Sequence, residues 1–271
     1  MESYPRIARC LAIAGSDSGG GAGIQADLRA FARCGVHGMT AITAVTAQNT
    51  IAVNAAAPVA PDLIEAQVAA VAGDIGVDAV KVGMLGDRAT IDAVSRALDA
   101  LGRGVPVVLD PVMVAESGAQ LLAPDARQAL VEILLPRASV VTPNVLEAEA
   151  LAGKPGDPEV LARAIHALGS AVVVVTGGHR DEATDVFFDG TDLVEIPGLR
   201  HPAGAAHGSG CTHSSALAAH LALGAAPLEA ARRARAIAGE AVRDGLRGLG
   251  VGAGPVNVLG LGRVTAAEPL P

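Results

Sequence analysis

The chain has no tryptophan, one tyrosine and three phenylalanines in 271 residues, so it has almost nothing on which nucleobases would stack. Basic surplus is missing too. Lys and Arg total 20 against 28 Asp and Glu, a formal charge of −8, which leaves no cationic face for a nucleic-acid backbone. Cysteine is scarce. Cys10, Cys34 and Cys211 stand far apart with no C-x-x-C, a pattern that fits neither a disulfide framework nor a zinc site and points to a reducing compartment. Long apolar runs are lacking as well: a stretch such as "AVVVV" (171–175) is far short of the ~20 residues that span a bilayer, and the opening "MESYPRIARC" has no signal-peptide core. These absences describe a cytoplasmic protein that works neither on nucleic acid nor in a membrane.

What is present is alternation. Short β-branched runs at 10–14, 39–46, 78–82, 105–110, 138–142 and 171–176 interleave with helix-like segments at 22–34, 61–73, 87–100, 124–134, 158–168, 210–223 and 227–247. Such a chain predicts right-handed βαβ crossovers, a mostly parallel sheet and helices on both faces, an α/β fold. In "DVFFDGTDLVEIPG", Asp189-Gly190 sits between two alternating runs and predicts an antiparallel hairpin at one edge. The helix-poor stretch 49–61, "NTIAVNAAAPVAP", reads as a flap. Nothing marks a second domain, so 1–271 is taken as one.

In open parallel sheets, ligands bind beyond the carboxyl ends of the strands. The segments that follow the six strands are rich in polar and bare-backbone positions, notably "GSDSGGGAGIQAD" (15–27), "AVTAQNT", "KVGML", "DPVM", "TPNVLEAE" and "TGGH". The first is the most distinctive. Gly15 and Gly20 have Walker spacing, but Gly21 occupies the lysine position, so that phosphate loop is excluded. Gly21–Ala26 satisfies G-x-G-x-x-A, yet no Asp or Glu occurs between Asp27 and Asp62 to bind a ribose, which argues against a dinucleotide site. A loop open to a small ligand remains, with Asp27 and Gln48 offering an acceptor and an amide to a ring with donor and acceptor edges.

The second distinctive stretch is "HGSGCTHSSALAAHLALG". Gly208, Ser209, Gly210 and Cys211 precede a small-residue helix, where successive N–H groups and the macrodipole favour an anion by roughly 0.3–1 kcal/mol. Phosphate is the expected guest. Ser209 is flanked by His207 and Cys211 at minus and plus two, so the nucleophile elbow G-x-S-x-G is absent. Cys211 reads either as a packing residue or as a thiol whose pKa the same N–H groups lower from about 8.5.

Taken in order, "AGSDSGGGAGIQADL", "AVTAQNT", "KVGML", "LDPVM", "TPNVLEAEAL", "GGH" and "HGSGCTHSSALAA" resemble the hydroxymethylpyrimidine/phosphomethylpyrimidine kinases of thiamine biosynthesis, members of the ribokinase-like superfamily. The resemblance runs from about Cys10 to the end. It implies a three-layer α/β sandwich, and an ATP-dependent phosphorylation of 4-amino-5-hydroxymethyl-2-methylpyrimidine followed by a second that gives the diphosphate. It implies that Asp27 and Gln48 hold the pyrimidine while Gly15, Met84 and Val112 line its pocket. Gly208, Ser209 and Gly210 would form the anion hole, with Cys211 standing where most ribokinase-like enzymes have an Asp base. Asn144, Thr176 and Gly178 would meet ATP, and Glu147 with Asp110 would organise Mg²⁺. The family also suggests a homodimer.

This chain departs from the family at four places. Thr176 and Glu116 stand where the family usually has lysines, Ala119 where it has Asp, and Ala205-Ala206 where it has Asn-Thr. With two cations missing, the second phosphorylation is expected to be the weaker one, or Lys81, Arg180 or a bound cation substitutes. A pyridoxal kinase of the same fold is the nearest rival, and a non-catalytic pyrimidine sensor is a rival from another class. Asp27 with Gln48 favours the pyrimidine, and the retained GSGC turn favours turnover.

Overall fold

A computed structural model describes residues 6–102, 104–177, 183–202 and 204–262. Its centre is a nine-stranded sheet in the order β3-β2-β1-β4-β5-β6-β7-β8-β9. The strands are β1 (Arg9–Asp17), β2 (His37–Gln48), β3 (Val53–Pro58), β4 (Ala79–Val82), β5 (Val107–Leu109), β6 (Val140–Val141), β7 (Val173–Val175), β8 (Asp185–Phe188) and β9 (Leu193–Ile196). Pairing is parallel from β2 through β7 and antiparallel at β2·β3, β7·β8 and β8·β9. The helices are α1 (Gly23–Arg33), α2 (Pro61–Asp74), α3 (Arg88–Asp99), α4 (Ala126–Ala129), α5 (Val145–Ala152), α6 (Pro158–His166), α7 (Ser209–Ala222) and α8 (Pro227–Arg243).

Period-2 alternation sorts the strand residues into two cores. Leu11, Ile13, Val80, Val82, Leu109, Val173 and Val175 pack under α2 to α6, while Cys10, Ala12, Ala79, Val108, Val172 and Val174 pack under α1, α7 and α8. Two layers of helix therefore enclose the sheet, as the alternation predicts. Lys81 falls in register with Ala79, on the α1/α7 face, although its partners on the adjacent strands, Ala12 and Val108, are apolar. Strand order reverses between β1 and β4, which pair in parallel, and the carboxyl ends of the strands at such a reversal are the place where these sheets bind ligands.

The hairpin at Asp189-Gly190 joins β8 to β9 as expected, with Asp189 Oδ1 accepting from the N–H groups of Thr191 and Asp192. Three segments differ from expectation. Within 49–61 lies β3, an edge strand on β2 whose run "NAAA" gave no alternation to read. The helix expected over 124–134 is α4 alone, continued by a π turn (Leu130–Leu134) and a 3-10 turn (Leu135–Arg137). "TPNVLEAE" is not only a loop after β6, because Asn144 caps α5 within it.

Candidate active site

A cavity of about 390 Å³ opens at the carboxyl ends of the central strands, within the usual range for a small-molecule site. Both glycine corners reach it. Gly15, Ser16, Asp17, Ala22 and Gly23 form one wall and Gly208, Ser209, Gly210 and Cys211 another. Gln48, Met84, Val112, Asp110, Asn144, Glu147 and Thr176 also line it. Gly178 and Arg180 lie outside the described residues.

The first corner is organised by a residue the sequence reading passed over. Asp17, at the end of β1, is buried, and its carboxylate accepts from the N–H groups of Gly19 (2.8 Å), Gly21 (3.0 Å) and Ala22 (2.8 Å). His207 Nε2 stands 3.2 Å from Asp17 Oδ2, tying the first corner to the second. Burial alone would raise the Asp17 carboxyl, but His207 and the N–H groups of Ala22 and Gly19 hold it below the ordinary carboxylate range.

Two of the glycines make room for protein rather than for ligand. A Cβ on Gly21 would lie 2.1 Å from His207 Cδ2, and one on Gly208 would lie 1.9 Å from the Gly21 carbonyl oxygen. At Gly208 the backbone is also left-handed, φ +84°, which glycine adopts without strain. The corners touch. Gly15 serves the cavity instead, its bare Cα facing Met84 Sδ.

At the second corner, α7 begins at Ser209 with no side chain capping it. The Ser209 N–H, expected in the anion hole, is instead donated to the Ala206 carbonyl at 2.9 Å, which leaves the next N–H groups, of Gly210 and Cys211 on the cavity wall, without a cap. Cys211 belongs to that first turn. Its thiol is not lowered as expected from the helix end. Burial pushes it up to about 12, with Lys81 and the Gly23 N–H pulling down and Asp110 and Asp27 pushing further up. Desolvation of a thiolate outweighs the dipole here.

Asp27 requires a second correction. It lies on the apolar stripe of α1 with Ile24, Ala30 and Phe31, is fully buried and is not in the cavity wall. Its Oδ1 meets Lys81 Nζ at 2.9 Å and accepts from Ser215 Oγ at 2.7 Å. The same Lys81 reaches Asp110 Oδ2 at 3.4 Å, and Ser214 Oγ donates to that oxygen at 3.0 Å. A wholly buried cation is thus shared by two carboxylates beneath the start of α7. Direct pyrimidine contact by Asp27 is excluded by this geometry, and Lys81 is held by carboxylates rather than free for phosphate. Of the pair expected to grip the ring, Gln48 alone lines the cavity.

Asn144 and Glu147 form a capping box. Asn144 Oδ1 accepts from the Glu147 N–H and Glu147 Oε2 accepts from the Asn144 N–H, both at 2.9 Å. Burial, then the charge on Asp110, pushes the Glu147 carboxyl up to about 8. A carboxyl whose ionisation a neighbouring carboxylate opposes suits a cation between the two. Among the described residues no set of three or more His, Cys, Asp or Glu is arranged to hold a metal. Such a pair fits Mg²⁺ in its usual manner, with one or two carboxylates, several waters and the oxygens of a substrate phosphate.

Comparison with known proteins places this geometry. A family model described as phosphomethylpyrimidine kinase matches residues 17–257. The chain is 49% identical over 255 residues to the hydroxymethylpyrimidine/phosphomethylpyrimidine kinase of Rhizobium meliloti, covering 91% of this chain and 95% of that one. It is 44% identical to the thiamine biosynthesis bifunctional protein ThiED of Geobacter sulfurreducens, covering 94% of this chain and 52% of that longer protein. Its structure is similar to that of Staphylococcus aureus pyridoxal kinase in complex with ADP, with a TM-score of 0.86, 32% identity and 96% of each chain covered. Together with the glycine corners meeting over the strand-order reversal, these matches give the fold as ribokinase-like α/β and show that the chain belongs to the phosphomethylpyrimidine kinase family.

Proposed function

We propose that the protein transfers a phosphoryl group from ATP to the hydroxymethyl group of 4-amino-5-hydroxymethyl-2-methylpyrimidine, and then to the resulting monophosphate, as a step of thiamine biosynthesis. One observation carries the reading: the wall formed by Gly15, Met84, Val112 and Gln48 and the N-terminal turn of α7 line a single cavity at the strand-order reversal. In this reading Gly15, Met84, Val112 and Gln48 seat the ring, and the N–H groups of Gly208, Gly210 and Cys211 receive the charge that builds on the equatorial oxygens. Asn144 and Thr176 face the nucleotide. Asp110 and Glu147 would hold Mg²⁺, which would supply positive charge to the transferred phosphates.

The substrate oxygen forms a bond to the γ-phosphorus as the bond to ADP breaks, and the hydroxyl proton leaves to Cys211 Sγ. A thiol raised by burial holds a proton tightly, as a late acceptor must. It also begins protonated, so its own proton leaves first to solvent water through the cavity, and the resulting thiolate then takes the hydroxyl proton.

A second reading is pyridoxal phosphorylation, supported by the likeness to the Staphylococcus aureus pyridoxal kinase. One experiment addresses both. ADP release is followed with ATP and either the pyrimidine or pyridoxal, and products are weighed by mass spectrometry. Pyrimidine-dependent ADP release with mono- and diphosphate products is expected. Release only with pyridoxal would replace the first reading, and release with neither would remove both.

A further inference from the structure

At one end of the cavity stands a cluster that no part of the proposed chemistry uses. Arg235 lies on the buried stripe of α8, one turn from Ala231 and Ala238, where an aliphatic residue would be expected. Its side chain is 12% exposed, and Nη1 lies 3.7 Å from Asp185 Oδ1. Asp185 is fully buried at the start of β8, and its other oxygen lies 3.1 Å from His213 Nε2 on α7. Arg235 and His213 line the cavity; Asp185 anchors them from behind.

Room for the guanidinium is built in. A Cβ on Gly198, in the loop after β9, would fall 2.1 Å from Arg235 Nε. The position relative to the nucleotide end is also fixed: Asp185 Oδ1 accepts from the Gly177 N–H at 2.9 Å, and Gly177 follows Thr176. The guanidinium is therefore one carboxylate away from a site where the resemblance would put a lysine and this chain has threonine. Buried donors remain open. Arg235 Nε has no hydrogen-bond acceptor, and neither ring nitrogen of His213 has an aligned partner. Native proteins rarely leave such donors unmet unless a ligand or water completes them.

We propose that Arg235, anchored by Asp185 with His213 beside it, contacts the polyphosphate of the bound nucleotide and supplies positive charge that Thr176 does not. The inference rests on the nucleotide reading above. A planar fork with several donors suits phosphate oxygens, and a fixed anchor lowers the cost of holding it in place.

The test is calorimetric binding of ADP and of adenosine to the full chain and to Arg235→Gln, Arg235→Lys and Gly198→Ala. Gly198→Ala adds a methyl against the guanidinium and removes no charge. Arg235→Gln and Gly198→Ala are expected to weaken ADP by about tenfold or more and leave adenosine unchanged, with Arg235→Lys in between. Thermal unfolding of Arg235→Lys checks that the fold is kept. Unchanged ADP affinity in Arg235→Gln and Gly198→Ala, or an equal loss for adenosine, would overturn the inference. A wild-type chain that binds ADP but releases none from ATP with the pyrimidine leaves this contact standing and removes the kinase reading; one that binds no ADP removes both.

Discussion

Asp17 Oδ2 and His207 Nε2 lie 3.2 Å apart although 190 residues separate them in the chain, and both are buried. The pair joins the two loops that form the site. Because Asp17 is held below the ordinary carboxylate range, its stabilising contribution is complete above the unfolded value near ~3.9 and disappears as pH falls through the lower folded value. Asp17→Asn should cost about 1–3 kcal/mol at neutral pH. Denaturant unfolding from pH 7 down to 3 should show the gap to wild type closing only at the acid end; a gap independent of pH would contradict the ionised pairing.

Lys81 is wholly buried between Asp27 and Asp110. Lys81→Met leaves carboxylates without their cation, so a loss of roughly 3–5 kcal/mol is expected in urea unfolding. Adding Asp27→Asn to that variant should restore part of it. If the double variant is as unstable as the sum of the two single changes, the shared-cation description is wrong.

Cys211 is expected to resist alkylation by iodoacetamide at neutral pH and to react faster as pH rises, since its thiol is pushed up to about 12. Site-resolved mass spectrometry separates it from Cys34, also raised, to about 11. Turnover should climb with pH above neutrality for the same reason. Cys211→Ala should slow turnover by ~10²–10⁴-fold with nucleotide binding retained. Near-normal turnover in that variant would remove Cys211 as the proton acceptor.

Glu147→Gln keeps an acceptor for the capping box but removes the carboxyl that burial and Asp110 raise to about 8. A raised carboxyl makes folding progressively less favourable as pH climbs from the unfolded value near ~4.3 to the folded one. The variant should therefore gain on wild type over that window in thermal unfolding, and lose turnover if the carboxylate serves Mg²⁺. A stability gap between the two proteins that stays the same from pH 4 to pH 8 would mean that the Glu147 carboxyl is not raised by its surroundings.

Much of the layer structure was legible because period-2 and period-3.6 patterns are local, and the hairpin carried its turn in Asp189-Gly190. β3 escaped because "NAAA" has no alternation. α5 escaped because a capping box was read only as a metal motif, although N-x-x-E is also a helix start. Asp27 shows the same kind of miss: its spacing from Ile24, Ala30 and Phe31 placed it on an apolar stripe, which signals burial rather than ligand contact. Arg235 carried the same signal, one turn from Ala231 and Ala238 on the stripe of α8, whereas Asp17 carried none. Their partners, Asp185 and His207, are brought near only by the tertiary fold.

With a bare Cα at Gly208 resting on the peptide of Gly21, the two corners that wall the cavity cannot drift independently. Any residue that props one open must displace the other. Change at either corner is then tolerated only in step with its counterpart, so a substitution made far from the phosphoryl acceptor would register in how the acceptor is held.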